Sequence, residues 1–208
     1  MKTGVLTLVL LTGAAVTASA QTSGLSFRPL VMFSEQQFAA NNTFEAVFGQ
    51  SHQSFWGGGL NMTQDGRYYF EVTASRFEQT GQRVFVDNGH AFPLNIPLTA
   101  SITPIEFSGG YRFQSSKSII PYLGAGIGAY RYKESSQFST ADEDIDTTHV
   151  GFIVEAGLEF RLHRWVGVAA DAHYTYIPGI LGDAGASKEF DEKSLGGIAA
   201  RFRVIVGK

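Results

Sequence analysis

The chain contains no cysteine. That absence excludes disulfide scaffolds, thiolate zinc sites, cysteine nucleophiles and a lipid-anchored cysteine in one step. Charge is scarce as well. Asp, Glu, Lys and Arg make up 17% of the residues, where a soluble domain carries about 25%. The 16 basic and 19 acidic side chains nearly cancel, which argues against a general nucleic-acid binder, since such a protein is basic. Beyond Ala20 no apolar run reaches the ~18 residues that a membrane-spanning helix needs. Helical periodicity is nearly absent too. What is abundant is glycine, 24 of 208 residues, together with 13% aromatics, among them 17 phenylalanines. Few charges, many glycines and many aromatics fit a membrane β protein better than a cytosolic enzyme.

The first residues read as an address. Met1-Lys2 is a short basic start, Gly4 to Val16 is apolar and small, and Ala18-Ser19-Ala20 is an A-x-A site followed by Gln21. This layout predicts a secretory signal peptide over residues 1–20 and a single mature domain over 21–208. The apolar core is too short for a comfortable transmembrane helix. An exported chain of this kind is periplasmic, secreted or a transmembrane β-barrel.

In the mature chain, apolar and polar residues alternate with period two, the signature of strands. Tyr68, Phe70, Val72 and Ala74 share one face; Tyr69, Glu71, Thr73 and Ser75 share the other. Segments Thr148–Leu162, Trp165–Tyr176 and Ser194–Gly207 alternate as clearly as Arg67–Gln79. Gln53–Thr63, Ala100–Phe113 and Ile119–Lys133 do so with less force. Ser26–Ser34 is the weakest, because it holds Pro29 and because Leu30 and Met32 blur the pattern.

These eight segments are joined by gaps that alternate in length. Glu35–His52, Thr80–Thr99, Glu134–Thr147 and Pro178–Lys193 are long; Gln64–Gly66, Gln114–Ser118 and His163–Arg164 are short. Short inner turns and long outer loops in alternation predict an all-β fold. It is an eight-stranded antiparallel up-and-down transmembrane barrel, with three periplasmic turns, four long outer loops and both termini on the periplasmic side.

A soluble barrel alternates as well, with its faces inverted. Composition separates the two. The polar faces carry Gly57, Gly59, Gly110, Gly124, Gly126, Gly128, Gly151 and Gly157. Small residues suit the crowded interior of an eight-stranded barrel, which side chains just fill. Tyr68, Tyr111, Phe113, Phe160, Tyr174, Tyr176 and Phe202 gather near strand ends on the apolar face, as interfacial girdles do. The lumen is then expected to hold Glu71, Glu106, Arg112, Glu155, Glu159, Arg161, Asp171, His173, Arg201 and Arg203. Charges in so narrow a space must pair. The pattern predicts an ion-pair network that plugs the lumen, with Glu155 or Glu159 coupled to Arg201 or Arg203. The competing reading is a path for ions lined by the same charges.

Pro121-Tyr122-Leu123-Gly124-Ala125-Gly126-Ile127-Gly128-Ala129-Tyr130 resembles the fifth-strand region of the small outer-membrane β-barrel domain family, the OmpA-like and opacity-type barrels. Gly109-Gly110-Tyr111-Arg112-Phe113 and Gly157-Leu158-Glu159-Phe160-Arg161-Leu162 are similar to the strands that flank it. The likeness covers the whole mature chain in layout. It implies the bacterial outer membrane as location. The partners it implies are outer-membrane lipid, lipopolysaccharide and the barrel-assembly machinery. Family members usually end in an aromatic residue that this machinery reads; here the last aromatic, Phe202, lies six residues before Lys208.

Other chemistry is thin. His52, His90, His149, His163 and His173 show no metal-ligand spacing. His149 or His90 with Ser135, Ser136 and Ser139 recreates no spacing of a hydrolytic triad. Asp142-Glu143-Asp144-Ile145-Asp146 lacks the central Gly and the register of a calcium loop and reads as a solvated acidic loop. Phe44, Phe48, Phe138 and Ile180-Leu181 sit in outer loops, where they are placed to meet a partner or a surface. No enzyme activity, cofactor or metal is expected. The reading is a structural or adhesive surface barrel. The alternatives are a narrow channel for ions or small or hydrophobic solutes, and a soluble periplasmic carrier.

Overall fold

A computed structural model describes residues 24–114, 118–136, 145–182 and 185–207. The alternating segments all become strands: β1 (Leu25–Phe38), β2 (His52–Gln64), β3 (Tyr68–Asp87), β4 (His90–Arg112), β5 (Ile119–Ser136), β6 (Ile145–His163), β7 (Val166–Tyr176) and β8 (Gly197–Val206). Helix α1 (Asn41–Phe48) lies between β1 and β2, and the short α2 (Gly185–Glu189) between β7 and β8. Each strand pairs antiparallel with the next, and β1 closes the ring on β8, with Phe33 opposite Phe202 and Ser34 opposite Arg201. This is the expected eight-stranded barrel. The expected signal peptide, residues 1–20, lies outside the described residues.

The pleat sorts the two faces. Phe27, Val31, Phe70, Phe107, Leu123, Phe152 and Phe202 are exposed on the outer wall, while Glu71, Glu155, Glu159, Arg201 and Arg203 are buried inside. A soluble carrier has the reverse arrangement. At the end of the short turns, Tyr68 meets Tyr111 edge-on at 5.5 Å and Tyr111 meets Phe113 at 5.0 Å. The Arg164 guanidinium lies 5.9 Å over the Trp165 ring. Amphipathic rings at this level form the girdle of a membrane barrel.

Two strands depart from expectation. β1 is longer than Ser26–Ser34, and Leu30 and Met32 point inward, where they pack with Tyr69, Tyr122, Ala169 and Ile205. Apolar residues on both faces are what blurred its alternation. The second of the four expected outer loops, Thr80–Thr99, is not a loop. β3 and β4 run on as a hairpin that turns at Asn88-Gly89, with φ 49° and 78°. Two successive residues of positive φ match the right-handed twist of the paired strands, so an Asn-Gly pair closes a hairpin in two residues.

Candidate functional site

Every strand aims polar side chains into the lumen, and together they build a ladder. At its periplasmic end Glu159 holds two guanidiniums. Arg28 donates to its carboxylate at 2.8 and 3.2 Å and Arg112 at 2.7 Å. Arg28 also donates to Asn61 Oδ1 at 2.7 Å, and Asn61 donates to Glu71 at 2.8 Å. Glu71 accepts from Arg203, which also donates to the Tyr122 hydroxyl and lies 3.0 Å from Asp171. Asp171 accepts from Tyr122 at 2.8 Å and from Arg201 at 2.7 Å. Glu155 accepts from Arg201, from Tyr69 at 2.6 Å and from Ser108 at 3.0 Å. At the top, Tyr130 donates to Glu106 at 2.8 Å, and His173 Nε2 stands 3.3 Å from the same carboxylate.

Among the described residues, the buried ionisable side chains of this ladder are five carboxylates (Glu71, Glu106, Glu155, Glu159, Asp171), four guanidiniums (Arg28, Arg112, Arg201, Arg203) and His173. Isolated burial of any one would be costly; mutual pairing with filled lone pairs is what makes such a cluster tolerable. Little space remains. A cavity of about 10 Å³ is lined by Asn61, Tyr69, Arg112, Tyr122, Glu159, Arg203 and Ile205, room for about one water.

Glycines make the fit possible. A Cβ at Gly124 would stand 2.0 Å from the Tyr69 hydroxyl oxygen, and one at Gly110 2.7 Å from the Tyr69 ring. The Tyr130 ring would meet a Cβ at Gly128 or Gly151 at 2.8 Å. Gly110, Gly124, Gly128 and Gly151 are therefore seats for inward tyrosines.

Nine of the ten lumen residues named from sequence are buried together. Arg161 is the exception and is corrected here. It is exposed, at the periplasmic rim, where a register irregularity between Arg161 and His163 ends the β6–β7 pairing. Period-two counting put it inward, but the strand leaves the lumen before reaching it. Of the expected couplings, Glu155 does meet Arg201. Glu159 does not reach Arg203, because Arg28 and Arg112 occupy both its oxygens. Arg28, Asn61, Tyr69, Tyr122 and Tyr130 were not singled out from sequence. The signal for Tyr122 and Tyr130 was there, since both share the face of β5 that carries Gly124, Gly126 and Gly128, and Tyr69 shares the face of Glu71. Glu155, Asp171 and His173 bring one ligand-type atom each within 4.8 Å of one another; the Arg201 guanidinium already bridges the two carboxylates.

Above the ladder the lumen changes character. Phe38, Phe44, Phe55, Phe77, Ala100, Ile102, Tyr130, Tyr132, Ile177 and Leu195 form one buried apolar cluster. Phe44 is carried in by α1 and stacks on Phe38 at 3.9 Å. Phe48, Ile180 and Leu181 pack against the same cluster. These loop residues were expected to face a partner. They face inward instead, because burying their apolar surface on the open mouth of the barrel is favourable. Phe138 lies outside the described residues. Gly81 admits the end of α1, since a Cβ there would stand 2.3 Å from the Val47 carbonyl oxygen.

The two loops are clasped together. Ala40, at the N-cap of α1, supplies no side-chain cap. Glu192 from the β7–β8 loop takes that role: its carboxylate accepts from the Asn42 and Thr43 backbone N–H at 3.0 and 2.9 Å and from the Thr43 hydroxyl at 2.6 Å. A carboxylate there satisfies orphan donors and complements the helix dipole.

A family model for an outer membrane protein beta-barrel domain matches residues 6–196. Comparison with curated proteins finds no match. Among solved structures, the N-terminal β-barrel domain of Pseudomonas aeruginosa OprF is similar at 13% identity and a TM-score of 0.51, covering 90% of this chain and 100% of that one. Neisserial surface protein A (NspA) is similar at 16% identity and a TM-score of 0.50, covering 89% and 95%. At these identities the likeness concerns the fold.

Proposed function

The chain belongs to the outer membrane protein β-barrel domain family, and from that premise we propose that it is a closed, non-catalytic barrel with a structural or adhesive role at the bacterial cell surface. The observation that carries this reading is the doubly sealed lumen, an ion-pair ladder below and an aromatic plug above. A barrel of eight strands leaves an interior that side chains fill, and here both halves are filled. The ladder charges are spent on one another, so their role in this reading is to hold the wall in register.

Surface contact falls to what projects beyond the mouth. The β3–β4 hairpin exposes Phe85, Phe92 and Leu94 at its tip, and exposed apolar groups on a rigid extension are suited to meeting a partner. Residues 1–20 serve in this reading as a cleaved signal peptide, the barrel-assembly machinery inserts the chain, and lipopolysaccharide and lipid surround it.

Conductance across a planar bilayer tests the reading, after a gel shift between unboiled and boiled protein establishes a folded barrel. A folded and electrically silent protein is expected. Discrete steps that change on Arg203→Ala would replace this reading with a narrow channel lined by the ladder.

A further inference from the structure

The apolar outer wall ends sharply on its β3–β5 side. Ala74, Ile105, Ala129 and Val150 are successive neighbours across β3, β4, β5 and β6. One outward position higher, Arg131 is flanked by Thr103 and Thr148, and Arg76, two residues beyond Ala74, stands beside Trp56. One further position up, the row reads Glu78, Ser101, Lys133 and Asp146. The side chains of Arg76, Arg131 and Lys133 are 64%, 53% and 48% exposed. Within two outward positions the wall passes from hydrocarbon-like to cationic and hydroxyl-bearing.

The cations are not spread around the ring. Among the described residues, every Lys and Arg facing outward at the outer edge of the apolar wall lies on β3 or β5. At the corresponding ends of the other strands stand Glu35, Ser54, Tyr174 and Ile198. A belt meant only to mark the interface would be indifferent to azimuth. One-sided placement focuses a positive field on one sector. Among the described residues, two outward-facing carboxylates lie in the same two rows. Arg76 pairs with Glu78, and Asp146 accepts from Arg131 at 2.8 and 2.7 Å and lies 3.1 Å from Lys133. The side chains of all three cations remain about half exposed or more despite these pairs, so the Lys133 ammonium and the outer edges of both guanidiniums are open to solvent.

We infer that the β3–β5 sector of the outer rim binds the phosphorylated headgroup of an outer-leaflet lipid, with its acyl chains lying along Ala74, Ile105 and Ala129 below. The inference rests on the proposed placement in the outer membrane and names a partner and a site within it. Guanidinium forks match phosphate oxygens in pairs, and ammonium adds a compact charge. Thr103 and Thr148 supply hydroxyls on either side of Arg131. The apolar step directly beneath fixes the depth at which the phosphate must sit. A phosphorylated amphiphile satisfies both halves at once, whereas a free anion uses only the upper half.

The test uses the full mature chain refolded in phosphatidylcholine vesicles with and without diphosphorylated lipid A, with Trp165→Phe so that Trp56, beside Arg76, reports binding by its fluorescence. Saturable binding of lipid A is expected, with inorganic phosphate failing to produce or compete for the signal. The triple variant Arg76→Gln, Arg131→Gln, Lys133→Gln should weaken binding by at least about tenfold, while Arg161→Gln with Arg164→Gln at the opposite rim should leave it unchanged. Asp146→Asn should tighten it. Equal affinity in the triple variant, with its gel shift intact, overturns the site. So does equal binding by dephosphorylated lipid, or full competition by inorganic phosphate. A chain that folds and inserts but ignores lipid A overturns this inference alone; a chain that stays soluble overturns the outer-membrane reading with it.

Discussion

His173 Nε2 lies 3.3 Å from Glu106 Oε1, at the level where the ion-pair ladder gives way to the aromatic plug. Its other ring nitrogen is 3.7 Å from Glu155, and Arg201 reaches within 3.8 Å of Glu106. Among the described residues five buried carboxylates face four guanidiniums, so with every carboxylate ionised a positive charge on His173 completes the balance. His173→Lys, which keeps a cation, should retain a larger share of the wild-type resistance to urea than His173→Leu, which leaves Glu106 and Glu155 short of one. Urea titration in lipid vesicles, read by gel shift, makes the comparison. Equal loss in both variants would show that the histidine contributes packing alone.

Among the described residues, Glu159 is the sole carboxylate partner of Arg28 and Arg112. Glu159→Leu strands both guanidiniums and should lower stability by about 3–5 kcal/mol, the usual result of breaking a buried pair. Asn61 and the Gly66 carbonyl, which also accept from these arginines, limit the loss. The same urea titration measures it.

Arg112 and Arg161 separate the lumen from the rim. Arg112→Gln should destabilise by several kcal/mol, as any broken buried pair does. Arg161→Gln should stay within about 0.5 kcal/mol of wild type, as surface changes do. A large effect at Arg161 would return it to the lumen.

Two seals in series predict a non-additive conductance. Arg203→Ala alone should stay silent because the Phe38–Phe44 plug remains. Deleting residues 41–48 alone should stay silent because the ladder remains. The combination should conduct. Single-channel recording of all three decides it, and opening by either single change would mean that one seal bears the whole closure.

Glu192→Ala removes the cap of α1 and should weaken the clasp by about 1 kcal/mol. Chymotrypsin should then cut at Phe44 or Phe48 faster than in wild type, while the barrel itself keeps its gel shift. Unchanged cleavage would mean that Phe44 burial alone holds α1 in place.

What the chain's letters reveal tracks how regular the local physics is. β7 and β8 carry unbroken alternation, so their inward charges were legible down to the residue, as were Glu155 and Glu159 on β6. β1 was not, since Leu30 and Met32 fill the lumen with apolar groups, and Arg28 was lost with it. The Asn88-Gly89 turn was legible and overlooked, because the surrounding length suggested a loop. Arg161 shows the limit of counting by twos: alternation persists for one more step than the wall does. The aromatic plug was beyond reach for another reason. Phe44 and Phe48 look identical in sequence whether they turn outward to a partner or inward onto the mouth, and only the tertiary position of α1 distinguishes the two.

The pairing of β1 with β8 joins the two ends of the described chain, and the ladder depends on it. Arg28 and Glu159 are 131 residues apart, and Arg203 and Glu71 are 132. Until the last strand arrives, Glu71, Glu155 and Asp171 lack the guanidiniums of Arg201 and Arg203, and the first strand has no neighbour on one side. An open, half-finished sheet would present those carboxylates to hydrocarbon without their cations, which the bilayer resists. Closure of the ring and completion of the ladder are thus one event. A chain truncated before β8 is therefore expected to insert poorly, with its gel shift lost.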